Sequence, residues 1–241
     1  MKDKKTIENL MKGAIIFTGI LLIFNQVQLS AINASFNSMT GATSKGSIFF
    51  ASGNKKTDLS KVDVTEITST AMAIATLFPE LGNLKTEEDA ISMMISTGTP
   101  EYSEALGGIT FDDPAMSMEY LAKWYHSSNS EIKKNYPEIW QRYLNLAAAP
   151  RGISCEFCRG LNAQGITAEG KLMCGCKHQP ALLAVAMGLM QNTDYSDAQV
   201  LKEAMKWKTI WFPRNMVGLA MEVAGTDPSS LKELPGMVGG C

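Results

Sequence analysis

Five side chains with sulfur or nitrogen donor atoms lie within one segment of 24 residues. Cys155 and Cys158 form a C-x-x-C pair, and Cys174, Cys176 and His178 follow as C-x-C-x-H after 15 intervening residues. A C-x-x-C turn brings two sulfurs to the same side, so two cysteine turns can surround one ion. Zinc with four sulfur or nitrogen ligands at ~2.0–2.3 Å is the usual occupant, and thiolates also bind Cu(I). We therefore predict a zinc or copper site with these five residues as its ligands.

The number of donors leaves the composition of the site open. Five donors are one more than a tetrahedral ion requires, so His178 or one cysteine is spare, unless the metal is copper. The cysteines also permit an oxidative interpretation, in which four of them form structural disulfides. A third possibility is thiol-disulfide exchange, with Cys155 attacking and Cys158 resolving. Cys155 does not follow an apolar strand and then open a helix, as a thioredoxin-like site would.

The second cysteine turn carries a resemblance to a known family. Cys174-Gly175-Cys176-Lys177-His178, followed by Ala181-Leu182-Leu183, resembles the core of the PCYCGC-motif family of extracytoplasmic bacterial lipoproteins. The resemblance covers roughly residues 155–213. In that family the C-x-x-C follows the C-x-C-G segment, whereas here it precedes it, and no lipobox cysteine lies near the amino terminus. The resemblance implies a membrane-tethered, extracytoplasmic, metal-associated module and no established reaction.

The amino-terminal 34 residues resemble a targeting segment. Four lysines within the first 12 residues precede the apolar run 13–24, and a weaker apolar stretch continues to about Ala34. This is the pattern of a signal peptide or a signal anchor. Cleavage after Ala31 or Ala34 would lack a small residue at the −3 position, which favours the anchor. The positive-inside rule then predicts a single-pass protein of the cytoplasmic membrane whose main domain lies outside the cytoplasm, or a secreted protein if the signal is cleaved.

Composition narrows the class of protein. The chain has 241 residues, of which 45% are hydrophobic and 19% charged, with a net charge of −2. Enough apolar surface exists for a core, so a disordered protein is excluded. The near-neutral balance predicts no nucleic-acid partner. The predicted partners are the membrane and a metal ion, and no feature identifies a protein partner. We find no Ser-His-acid arrangement, P-loop or dinucleotide-binding glycine pattern, so the sequence gives no ground for an enzyme.

Helix signals recur through the rest of the chain, and we predict a mainly α fold. Thr86–Asp89 and Ser196–Gln199 have the form of capping boxes, and Asp113-Pro114 begins a helix. Ile166 and Leu172 alternate around glycines, which predicts a short hairpin between the two cysteine turns. The predicted helices cover residues 63–78, 86–95, 114–125, 137–149, 180–190, 196–213 and 215–224.

These patterns divide the chain into four parts. Residues 1–34 are the signal anchor or signal peptide, and residues 35–62, rich in Ser, Thr, Gly, Asn and Lys, are a linker or stalk. Residues 63–226 form the helical domain, which contains the cysteine knuckle at 153–179. Residues 227–241, which end in Cys241, are predicted to be a flexible tail.

Overall fold

The structure is a computed structural model, and it describes residues 58–159, 164–231 and 233–239. For Cys158, Arg159 and Ser230 it describes the backbone only. These residues belong to the second of the two units into which the chain divides, Ser52–Cys241. The anchor predicted over 1–34 and most of the predicted linker therefore lie outside the described residues. Within the described ranges, no helix combines the length and the apolar character that crossing a bilayer requires.

The described residues are mainly helical, as the sequence predicts. The helices are α1 (Thr70–Leu77), α2 (Glu87–Met94), α3 (Pro114–Asn135), α4 (Pro137–Ala147), α5 (Glu156–Arg159), α6 (His178–Asn192), α7 (Asp197–Trp211) and α8 (Pro213–Ala224). The predicted hairpin is present as a single antiparallel bridge between Ile166 and Leu172. A backbone bond from the Thr167 N–H to the Lys171 carbonyl, 2.9 Å long, closes its turn.

Side-chain caps begin several of these helices where the sequence predicts them. Thr86 and Ser196 each form a reciprocal capping box with the residue three positions later. Asp113 accepts a hydrogen bond from the backbone N–H of Met116, and Pro114 occupies the first helical position of α3. Such caps satisfy backbone N–H groups that have no partner inside the helix.

Two helix boundaries differ from the prediction by more than two residues. The helix expected from residue 63 begins only at Thr70, because Asp63 caps a separate 3₁₀ turn and the Ser69 side chain caps α1 by accepting the backbone N–H of Met72. The helix expected to end at Tyr125 continues to Asn135. Ser130 bonds to the neighbouring Asn129 side chain instead of capping a new turn, and continuing the helix buries Ile132.

Helix α6 is the centre of the fold. Every residue from His178 to Met190 is buried, and the helix packs against α3, α4 and α7. A helix that is apolar on all sides is expected in the middle of a core. Trp207 and Trp211 of α7 are fully buried beside it. Because α6 is enclosed along its length, the residues at its amino-terminal end are held in fixed positions.

The last residues of the predicted linker also belong to the folded domain. Leu59–Lys61 form a 3₁₀ turn, and the Ser196 hydroxyl donates a hydrogen bond of 3.1 Å to the Leu59 carbonyl. Ser196 therefore connects the start of α7 to the first described segment as well as capping its own helix.

We expect Ser196→Ala to lower the free energy of unfolding by about 1–2 kcal/mol, since it removes an N-cap. Ser130→Ala is the matched control, because Ser130 is exposed and bonds only to Asn129, and it should shift stability by less than about 0.5 kcal/mol. Urea denaturation of the full chain, followed by circular dichroism, measures both. Equal midpoints for the two variants would contradict the role assigned to Ser196.

Candidate metal centre

The candidate site lies at the amino-terminal end of the buried helix α6. Cys174 and Cys176 are on the loop that leads into this helix, and His178 is its first residue. Cys155 directly precedes the short helix α5. The backbone of Cys158 lies in α5, and its side chain is outside the described part of the chain.

Cys176 is the centre of this group. Its sulfur lies 3.3 Å from that of Cys174. The pKa of Cys176 is lowered to about 3, mainly because the Cys155 thiol hydrogen-bonds to it. The imidazole of His178, the Gln179 backbone N–H and the Cys174 thiol also lower this pKa, while partial burial opposes them. The structure thus brings together four of the five predicted residues, from two turns far apart in sequence.

Of the two ring nitrogens of His178, one has a hydrogen bond of regular geometry and the other does not. Its Nε2 lies 2.8 Å from the Val238 carbonyl oxygen. A carbonyl only accepts, so Nε2 carries the hydrogen, and in the neutral ring Nδ1 then carries the lone pair. Nδ1 is buried and has no hydrogen bond of regular geometry within the described residues. This is the arrangement of a metal-binding histidine, whose second nitrogen donates to a carbonyl.

A second buried polar atom without a partner lies in the other turn. Ser154 precedes Cys155, and its hydroxyl has no hydrogen-bond partner among the described residues. Ser154 Oγ and His178 Nδ1 are the two buried side-chain polar atoms of which this is true in the described ranges. Most buried polar atoms in proteins are hydrogen-bonded, so such exceptions require an explanation. Both exceptions fall within the two predicted ligand-bearing turns.

Gln179 joins the two turns. Its Oε1 accepts the Cys155 backbone N–H at 2.8 Å, and its Nε2 donates to the Ile153 carbonyl at 3.4 Å. Gly165 of the hairpin lies close to both partners of this bond. A Cβ at this position would be 2.3 Å from the Ile153 carbonyl oxygen and 2.9 Å from Gln179 Nε2. Only glycine fits at this approach. Sequence patterns could not show that Gln179 holds the Cys155 turn against α6.

Lys208 fixes the same turn from the opposite side. This lysine of α7 is completely buried, and it donates to Thr70 Oγ1, the Gly152 carbonyl and Glu156 Oε1 at 3.2, 3.0 and 2.9 Å. Burial lowers the pKa of Lys208, and the charges of Glu156 and Cys155 oppose that shift. The cation therefore lies within electrostatic range of the Cys155 sulfur. The sequence gives one sign of this burial. Lys208 lies four residues after Ala204, which places it on the same apolar face of the helix.

Part of the segment predicted as a flexible tail packs against the site. The Val238 N–H donates to the Trp211 carbonyl at 2.8 Å, and the Val238 carbonyl accepts from His178. Arg214 contacts the carbonyls of Leu234 and Pro235. This segment thus sets the orientation of the imidazole, a role that the sequence did not reveal. Cys241 lies outside the described residues.

Two further observations bear on the site. Within the described residues, no group of three or more His, Cys, Asp or Glu side chains is placed so that it could hold a metal ion. Comparison with known proteins gives no match to a family model, a curated protein or a solved structure. The resemblance to the PCYCGC-motif family therefore rests on the motif residues alone, and the chemistry must be inferred from the cluster itself.

We expect Lys208→Met to lower the free energy of unfolding by about 3–5 kcal/mol, since it leaves the Glu156 carboxylate buried without its partner. Lys206→Met is the matched control on the same helix. Lys206 pairs with Glu203 at 2.6 Å with its side chain 30% exposed, and its loss should cost at most about 1 kcal/mol. Urea denaturation measures both. If the two variants were equally stable, the buried pair would not anchor the Cys155 turn.

Proposed function

We propose that this protein binds one thiophilic metal ion, zinc or copper, through Cys155, Cys174, Cys176 and His178, with Cys158 as a further candidate ligand. The observation that carries the proposal is the buried Nδ1 of His178, which has no hydrogen bond of regular geometry within the described residues, in a ring that contacts the Cys176 sulfur. Leaving such an atom unsatisfied costs about 1–3 kcal/mol. A metal ion would satisfy it.

The chemistry of the donors supports the same conclusion. Three thiols and one imidazole supply four soft or borderline donors, the number that a tetrahedral zinc ion takes. The Cys174 and Cys176 sulfurs lie 3.3 Å apart, beyond the length of a disulfide bond, and the Cys155 thiol hydrogen-bonds to Cys176. Their sulfurs already hydrogen-bond to one another. Binding would replace these S–H hydrogens by the ion, with rotation of the cysteine side chains around it and release of their protons.

The fold holds this cluster in a way that suits a metal site. Gln179 bonds the Cys155 turn, and the Val238 carbonyl orients His178. Groups of this kind, which contact ligands rather than the ion, set ligand orientation and strengthen metal binding. Since Gln179 is fully buried and Val238 is half-buried, the site would be preorganised on the protein side and would need only local side-chain movement.

Thiol-disulfide exchange is the second candidate function. The close spacing of the Cys174 and Cys176 sulfurs, together with the low pKa of Cys176, favours it. In that case Cys176, rather than Cys155 as the sequence suggested, would be the attacking thiolate, and Cys174 or Cys155 would resolve the mixed disulfide. In exchange chemistry the His178 imidazole would stabilise the Cys176 thiolate, whereas metal binding would use Cys155, Cys174, Cys176 and His178 together, so metal binding accounts for more of the site. A domain stapled by an inert zinc is the third alternative.

We further propose that residues 1–34 anchor the protein in the cytoplasmic membrane with the helical domain outside the cytoplasm. The lysines before the apolar run 13–24 support this orientation.

We expect the full chain, purified without oxygen, to bind about one zinc or copper ion. Cys176→Ser and His178→Gln should each weaken binding by at least about tenfold. Cys241→Ser and His126→Gln are matched controls that should retain wild-type binding, because neither residue belongs to the proposed ligand set. Metal titration against a competing chelator measures the affinities, and circular dichroism shows whether each variant is folded.

The opposite result would be a metal-free native chain whose thiol count shows two disulfides. That outcome would favour the oxidative interpretation. Reduction of insulin by the metal-free chain, lost in Cys176→Ser, would favour exchange chemistry.

We expect alkaline phosphatase fused after residue 62 to be active in a bacterial host, because this reporter needs the disulfides that form outside the cytoplasm. The same reporter fused after residue 12, before the apolar run, is the control and should be inactive. Activity in neither fusion, or in both, would contradict the proposed orientation.

A further inference from the structure

The surface next to the cluster contains a cleft that the proposed binding site does not explain. It has a volume of about 560 Å³ and lies between the first turns of α3 and the loop before α6. Its lining includes Met116, Met118, Cys176 and Gly239, together with the Lys177–Glu119 ion pair. One wall of the cleft is therefore the candidate ligand Cys176, and another carries two methionines.

Cys176 is the member of the cluster that a solute in this cleft would meet. Cys155 and His178 have no exposed surface. Cys176 is half-buried, and a Cβ on the neighbouring Gly175 would have no atom within 4 Å. An ion arriving from solvent through the cleft would thus contact the Cys176 sulfur before it reached the buried donors.

The two methionines occupy the outer and inner parts of the same cleft. Met116 is 58% exposed. Met118 is buried and packs against Gly239, where a Cβ would lie 2.2 Å from the Met118 methyl carbon and 3.8 Å from His178 Nε2. The two methionines therefore line the same cleft, one exposed and one buried, and Gly239 lies beside both Met118 and His178. Core packing explains the burial of Met118, but it does not explain Met116.

Thioethers distinguish between the two metals that the cluster could hold. Methionine sulfur is a soft ligand that binds Cu(I), whereas zinc takes thiolate, imidazole and carboxylate. We infer that this cleft is the route by which Cu(I) reaches the cluster, with Met116 and Met118 as transient ligands. The inference rests on the proposed metal-binding function and narrows its cargo to a soft monovalent cation.

The transfer is a ligand exchange without electron transfer. Copper remains Cu(I) throughout. A bond to a methionine sulfur forms as a bond to the donor ligand breaks, and the methionine is then replaced by the Cys176 sulfur. Each cysteine that binds as the thiol releases its proton to water. No oxidant or reductant is needed.

The test uses the full chain without oxygen, with Cu(I) supplied as its bicinchoninate complex and uptake followed by the loss of that complex's colour. Met116→Leu/Met118→Leu should slow uptake at least about tenfold, the lower end of what accessory residues of metal sites contribute. The final copper content and the rate of zinc uptake should be unchanged. Met93→Leu, on α2 away from the cleft, is the matched control and should behave as wild type.

The outcomes separate the two proposals. Wild-type Cu(I) uptake by the double variant, or equal slowing of zinc and copper, would overturn the role of the cleft. Failure of the unmodified chain to bind either metal would instead overturn the proposed function. Met116→Leu alone changes an exposed side chain, so it gives a decisive measurement even if replacing the buried Met118 disturbs the fold.

Discussion

The burial of the first turn of α6 is the constraint on which the rest of the site depends. His178 and Gln179 have no exposed surface, yet both are polar, so each requires partners inside the protein. Gln179 finds them in the Cys155 turn, and His178 Nε2 finds one in the Val238 carbonyl. The hydrogen bonds of these two buried side chains at the start of α6 therefore hold the Cys155 turn and the carboxyl-terminal segment next to each other. The His178 Nδ1, which has no hydrogen bond of regular geometry within the described residues, lies in a ring that contacts Cys176, and this supports the proposed metal binding.

The buried ion pair between Lys208 and Glu156 reinforces this arrangement from the other side of the Cys155 turn. A charge without a partner in the core costs several kcal/mol, so Lys208 restricts where residues 152–156 can lie. The turn is thus held between α6 and α7. Ligands held by rigid elements favour selective metal binding. The half-buried Cys176, in contrast, would let the ion exchange with solvent. The cluster combines both features, which is why we favour a cargo-handling role over an inert staple.

Much of the helical framework could be predicted because its signals are local. The capping boxes at Thr86 and Ser196, and Pro114 after Asp113, act on backbone groups within one turn, so the sequence alone predicts them. The errors arise where tertiary contacts outweigh local signals. The burial of Ile132 extends α3 to Asn135, and α1 begins only at Thr70, after its Ser69 cap, because the residues before it form a separate capped turn.

By itself the sequence determined the mainly helical fold, the hairpin between the cysteine turns and the identity of the candidate donors, since spacing and residue chemistry are properties of the chain. Only the tertiary structure decided which donors meet, because Cys155 reaches Cys176 through contacts from α6 and α7. It also decided the positions of Lys208, Val238 and the two methionines of the cleft. Those residues come from segments that are far apart in the sequence. No local sequence pattern predicts that the fold places them around one site.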